Sequence, residues 1–191
     1  VGVGGSNGKT TTKEMLRAIL AEQGPTHAAV ASYNNHWGLP LTLARMPESA
    51  AYGVFEIGMN HAGEITPLTK LVRPHIAIVT TIAPVHLEFF GTLEKIADAK
   101  AEIFGGLVEG GTAVIPADSP HFARLKAHAE KLGAKVVSFG RARDATLRLL
   151  DAIPSANGGS LVTCSRRRNA PVGCVSRIRS ILRATIWSKK R

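Results

Sequence analysis

Several things are scarce in this sequence, and each scarcity excludes something. There are two cysteines in 191 residues, Cys164 and Cys174. Both lie near the carboxyl end, so the body has neither a disulfide framework nor a cysteine metal pattern, and it fits a reducing compartment, the cytoplasm by default. Long hydrophobic runs are absent. The longest, Ile76 to Val85, is interrupted by Thr80, Thr81 and Pro84 and falls short of the roughly 18 residues a membrane helix needs. The chain opens on Val1 without methionine, inside a Val/Gly run that reads as the end of a strand. No signal peptide is legible there, and the expectation is a piece that begins mid-protein. Acid is missing from the last stretch: all 14 Asp and Glu lie between Glu14 and Asp151. The formal charge of +10 therefore does not describe a uniformly basic protein. Fifteen Lys and Arg against 14 acids leave residues 1–151 at +1, and the other nine basic residues follow Asp151.

What remains suits a folded body of one domain or slightly more, with 45% apolar residues to bury. Apolar runs of strand length alternate with segments of helical period, the βαβ rhythm of an α/β fold with a mostly parallel sheet covered by helices on both faces. The pattern predicts strands near 1–4, 28–32, 52–57, 75–82, 112–116 and 134–139. It predicts helices near 9–23, 38–45, 63–72, 92–107 and 119–132, several of them stopped by Gly24, Pro47, Pro74 or Gly133. Beyond Gly140, residues 145–153 and 160–163 read as strands about a turn at 155–159.

Gly5-Ser6-Asn7-Gly8-Lys9-Thr10-Thr11 follows a strand and precedes a helix. Glycines there let backbone N–H groups turn toward an anion, the helix start adds donors and a positive dipole end, and Lys9 supplies a point charge for phosphate oxygens. Thr10 or Thr11 is placed to hold Mg²⁺. The strict spacing for such a loop asks for glycine where Val3 stands, a departure that bears more on family than on chemistry.

Glu56 is the one charge in the run Val54-Phe55-Glu56-Ile57-Gly58. A buried carboxylate needs a partner, and the carboxyl end of a parallel strand is where open α/β sheets bind ligands. Mg²⁺ fits that position; an edge strand with Glu56 facing solvent would fit the pattern too. His86 follows the next strand at the same sheet edge, where a ligand role and a solvated histidine are both open. Lys100 falls in the apolar stripe Leu93, Ile96, Ala97, Phe104 and Leu107. An ammonium there must snorkel, pair with an acid, or lose its charge through a shifted pKa or modification. Asn34 and Asn35 open a polar turn into a helix, placed either to bond a substrate or to cap that helix. His61 and Glu64 follow the Glu56 strand, where a helix-start carboxylate is also favoured by the dipole.

Taken in order, GSNGKTT (5–11), NNHWGLPLTL (34–43), FEIGMNHAGEI (55–65), HLEFFGT (86–92) and DAKAEIF (98–104) resemble the central ATPase domain of the Mur ligases of bacterial peptidoglycan synthesis. The resemblance covers residues 1 to about 163. It implies a P-loop-like domain binding ATP and Mg²⁺, with Gly5, Ser6, Asn7, Gly8, Lys9, Thr10, Thr11 and Asn35 at the nucleotide. It implies Thr10, Glu56, His86 and Lys100 at the metal, Lys100 as a carbamate, and Lys9, Lys100 and His86 as the catalytic set. The substrate blocks resemble the branch that joins D-alanyl-D-alanine to UDP-N-acetylmuramoyl-tripeptide through an acyl phosphate. A sibling ligase of the folylpolyglutamate type, or an inactive ATP-binding piece, is the alternative. The implied whole enzyme is a cytoplasmic monomer that binds neither nucleic acid nor membrane. Domains that bind the UDP-sugar and close over ATP in such ligases have no counterpart among these motifs, so the chain is expected to bind Mg·ATP without ligating.

Residues 164–191 share none of these motifs. Ile178, Ile181, Leu182 and Ile186 have helical spacing among arginines, which would suit a basic amphipathic helix. The abrupt change of composition favours a stretch that is out of frame or disordered.

Overall fold

The computed structural model describes residues 1–85, 87–154, 160–167 and 178–182. Among these the chain forms a nine-stranded sheet in the order β2-β3-β1-β4-β5-β6-β7-β8-β9. The strands are β1 (Gly2–Gly4), β2 (Thr26–Ala28), β3 (Tyr52–Glu56), β4 (Ile76–Val79), β5 (Thr112–Pro116), β6 (Lys135–Gly140), β7 (Leu147–Pro154), β8 (Ser160–Arg166) and β9 (Ile178–Leu182). Pairing is parallel from β2 through β7 and antiparallel for β7–β8 and β8–β9. The helices are α1 (Lys9–Ala21), α2 (Gly38–Ala44), α3 (Ile65–Val72), the single turn α4 (Leu87–Phe90), α5 (Leu93–Ala101) and α6 (Phe122–Lys131), with a 3-10 helix at Glu102–Gly106.

Burial explains why the short apolar runs became strands. Val3, Val54, Ala77, Val79, Ala113 and Ile115 are all fully buried, as a sheet covered on both faces requires. One core cluster joins Phe55, Ala77, Val79 and Ile115 to Leu39, Ile65, Leu68, Ile96, Phe104 and Leu125 of the helices that follow β2. Val54 and Phe55 point to opposite faces because strand side chains alternate. The side of Val3 and Val54 is covered by α1, which contacts β1, β2 and β3.

The strand order fixes where a site can form. The chain runs from β1 outward to β2, returns to β3 beside β1, then crosses to β4 on the other flank. β1 therefore sits at the point where the winding reverses, and the crevice beyond its carboxyl end is where such sheets bind ligands.

Three elements differ from the sequence expectation. The strand expected at 28–32 lies at Thr26–Ala28, paired with Tyr52 to Val54, while Val30 is 79% exposed. The helix expected over 92–107 ends at Ala101 and tightens into the 3-10 turn, whose Gly106 packs so closely on Thr69 that a Cβ there would collide with the Thr69 backbone. Ile178–Leu182, spaced like a helix, is the backbone of β9. β8 runs through residue 164 without interruption. The remaining residues of 164–191 lie outside the described ones.

Candidate functional site

The loop between β1 and α1 is held by the residues that follow β4. The Thr80 amide donates to the Gly4 carbonyl (3.0 Å) and the Ser6 amide to the Thr81 carbonyl (2.8 Å). The Thr80 hydroxyl reaches the carbonyls of Gly4 (3.1 Å) and Asn7 (2.6 Å). Ser6 Oγ accepts from the Ala83 amide (3.0 Å) and donates to its carbonyl (3.2 Å). Gly5, at φ +129°, leaves no room for a side chain: a Cβ would overlap the Thr80 hydroxyl. Gly8 is left-handed (φ 81°) and caps α1 without any side-chain acceptor, so the helix start presents its backbone N–H groups to whatever lies in front of the loop.

Five side chains gather there. Glu56, at the end of β3 and beside Val3, is 2% exposed. Its Oε2 accepts from the Thr10 hydroxyl (2.8 Å) and its Oε1 from Asn34 Nδ2 (2.7 Å). The edge-strand alternative for Glu56 is thereby excluded: β3 is flanked by β2 and β1. Lys9 folds over the loop, its Nζ donating to the carbonyls of Gly5 (3.1 Å) and Ser6 (3.4 Å). Burial lowers its pKa from the ordinary lysine value, against the opposing pull of the Glu56 carboxylate. Lys100, on the last turn of α5, is also 2% exposed. Its pKa is pushed down to about 8, first by burial and then by the like charge of Lys9.

Lys9 and Lys100 line one cavity of about 440 Å³ together with Ser6, Asn34, Asn35 and Glu64. The lysine of the apolar stripe does not snorkel to open solvent; it opens into this cavity. Two cations, a helix start and a carboxylate behind them make a hollow suited to a polyanion carrying a metal.

Other expected residues are placed as follows. Asn35 lines the cavity but spends its side-chain oxygen on the amides of Trp37 (3.1 Å) and Gly38 (2.9 Å), the capping alternative. Thr11 is exposed in the first turn of α1. Glu64 accepts from the Asn60 amide (2.7 Å) and meets His61 Nδ1 at 3.1 Å. His61 turns to a second hollow, its ring 4.7 Å from that of Phe89. His86 lies outside the described residues. Sequence reasoning left Lys13 unnoticed and did not give Asn34 its role beside Glu56. A lysine at i+4 from Lys9 was the available signal for the first.

Mg²⁺ is tested by the donor set. Among the described residues no group of three His, Cys, Asp or Glu side chains converges. The Glu56 carboxylate and Thr10 hydroxyl supply hard oxygen donors beside the anion loop. Mg²⁺ is commonly held by one or two carboxylates, with phosphate oxygens and water completing its shell, so the residues fit.

Comparison with known proteins agrees with this geometry. The UDP-N-acetylmuramoyl-tripeptide--D-alanyl-D-alanine ligase of Bacillus subtilis (strain 168) is 46% identical over 120 residues, covering 63% of this chain and 26% of the relative. A crystal structure of MurF from Acinetobacter baumannii superposes with a TM-score of 0.78 at 31% identity, over 85% of this chain and 35% of that one. The MurF ligase of Thermotoga maritima, crystallised in complex with ADP, gives 0.75 at 29% identity over 86% and 37%. The chain thus spans about a quarter to a third of the length of the curated relatives it matches. A family model described as the Mur ligase middle domain matches residues 3–175, and with the loop, Glu56 and Lys100 assembled as above, the chain belongs to the Mur ligase family.

Proposed function

We propose that this chain is the ATP-binding part of a ligase of peptidoglycan precursor synthesis, one that joins D-alanyl-D-alanine to UDP-N-acetylmuramoyl-tripeptide in the bacterial cytoplasm. The observation that carries the reading is the convergence of Lys9, Lys100 and Asn34 on one cavity at the reversal point of the sheet, with Asn34 and Thr10 holding the buried Glu56 carboxylate behind it.

The chemistry is activation of a carboxylate by phosphoryl transfer, followed by attack of an amine on the acyl phosphate. Lys9 and the N–H groups at the start of α1 hold the phosphates and stabilise charge gathering on the transferred group. Glu56 and Thr10 would hold Mg²⁺, which when bound neutralises phosphate oxygens. A lowered pKa leaves part of the Lys100 population as the free amine near neutral pH, the form that adds CO₂ to give a carbamate with release of a proton. Such a carbamate turns a cation repelled by Lys9 into an anion attracted to it, and with His86 would extend the donor set. No side-chain nucleophile is required, since the amine of the second substrate attacks.

Calorimetric titration with ATP in the presence of Mg²⁺ tests the reading. The chain is expected to bind. Lys9→Ala is expected to weaken binding by roughly ten- to a hundredfold, the worth of a hydrogen bond to a charged group. Equal affinity of the variant, or no binding by the parent chain, overturns the proposal.

A further inference from the structure

Lys13 is the largest fully buried side chain of the molecule as described, at 0% exposure, one turn beyond Lys9 on α1. Its ammonium donates to the carbonyls of Ala29 (2.7 Å) and Ala31 (2.6 Å) and meets Glu14 Oε1 at 2.9 Å. Three donors meet three acceptors. A lysine in this place is not explained by packing, since an apolar side chain would fill the same space without desolvating a charge.

Of the segment it grips, Ala29 is buried, but residues 29–31 follow β2 without regular structure. Val30 between the two carbonyls points to solvent, and Ala31 sits at φ +57°, a left-handed conformation that residues with a Cβ rarely adopt. Three residues further on, the Asn34 carbonyl accepts from the Gly58 amide (2.8 Å), and the Asn34 side chain donates to Glu56 Oε1. The other oxygen of Glu56 accepts from Thr10. Both oxygens are therefore set from α1: one directly by Thr10, the other by Asn34 at the end of a strap that Lys13 fastens to the same helix.

We propose that Lys13 is a positioning residue which, by tying the 29–34 strap to the phosphate-loop helix, fixes Asn34 on Glu56 and so sets the carboxylate for the divalent cation. Fully buried and with its donors spent on Ala29, Ala31 and Glu14, it acts through Asn34. The cation part rests on the Mg·ATP reading; the fixing of Asn34 does not.

The test uses the full chain, ¹⁵N-labelled and free of nucleotide. The Asn34 side-chain amide, identified by its loss in Asn34→Ala, is expected to exchange slowly with solvent in the parent. Lys13→Met should speed that exchange by about tenfold or more, the loss expected of a charged hydrogen bond. Backbone amides of β1, β4 and β5 should be unmoved. Lys13→Gln, which keeps a donor, should fall between, and it replaces Lys13→Met if the latter does not fold. In a second arm, the Mg²⁺ concentration giving half-maximal ATP binding should rise severalfold in Lys13→Met and in Asn34→Ala, with the double variant no worse than either single one, as coupled residues require. A folded Lys13 variant with unchanged Asn34 exchange overturns the inference. Additive effects on the Mg²⁺ requirement overturn its cation part, whereas a parent chain that binds no Mg·ATP sinks the functional reading and leaves the exchange arm to decide the strap.

Discussion

In β1, β3, β4 and β5 most positions are buried, and the strand ends carry a desolvated carboxylate and a lysine-lined cavity. In β7 and β8 no residue is fully buried, and the ribbon joins the parallel sheet through only two paired positions, Phe139 with Leu147 and Gly140 with Arg148. Both regions are hydrogen-bonded sheet, so backbone pairing alone does not make a site. The parallel half is covered by helices on both faces, and that cover withdraws water from the ends of its strands. Charge placed there is costly and therefore reactive; charge on the ribbon stays hydrated and does little.

Truncating one large apolar residue in each region breaks the comparison most visibly. Phe104→Ala removes a side chain 1% exposed from the helical cover and is expected to cost about 3–5 kcal/mol, while Ile153→Ala on β7, 52% exposed, should stay within about 0.5 kcal/mol. Chemical denaturation of the two variants measures both. Neighbouring glycines make a finer test inside the covered region. A Cβ on Gly106 would collide with the Thr69 backbone, whereas one on Gly105 meets nothing within 4 Å. Gly106→Ala should cost about 1–3 kcal/mol and Gly105→Ala much less, read by the same denaturation.

The electrostatic contrast is smaller and depends on pH. Lys100 titrates near 8 in the folded chain and near 10.5 when unfolded. Between those values the unfolded state binds more protons, so stability rises with pH, and below about 8 the full penalty of the buried charge is present. Lys100→Met is expected to raise Tm at pH 7 in CO₂-free buffer, with the gap over the parent closing between pH 8 and 10.5. A gap independent of pH would show that the ammonium is not desolvated. Smallest of all is the exposed pairing of Arg124 with Asp98 (3.0 Å). Arg124→Ala should change stability by less than about 1 kcal/mol, and less still in high salt, as thermal melts at two salt concentrations would show.

The parallel strands were legible because a strand buried on both faces must be written as an unbroken apolar run, and Glu56 and Lys100 were legible as the charges that interrupt such patterns. β2 was misplaced because the apolar letters Ala28 to Ala31 continue past the strand. Past Ala28 the carbonyls of Ala29 and Ala31 accept from the Lys13 ammonium instead of a neighbouring strand, and no local pattern records an acceptor sixteen or eighteen residues from its donor. The break after Ala101 was hidden because the apolar stripe runs on through Phe104 and Leu107, and the close packing of Gly106 on Thr69 of another helix leaves no local trace. Asn34 and Asn35 are adjacent and identical in type, so the sequence could not say that the first serves Glu56 and the second caps α2.

Gly5 has a consequence for how this gene can vary. Its missing side chain is the space the Thr80 hydroxyl occupies, and its backbone angle belongs to glycine. In a saturation library scored for folded protein, codon 5 should tolerate glycine alone, while codon 7, whose residue engages Thr80 through a backbone carbonyl and is itself exposed, should accept many substitutions. Two positions in one phosphate loop would then carry opposite mutational freedom, set by Thr80 rather than by the nucleotide.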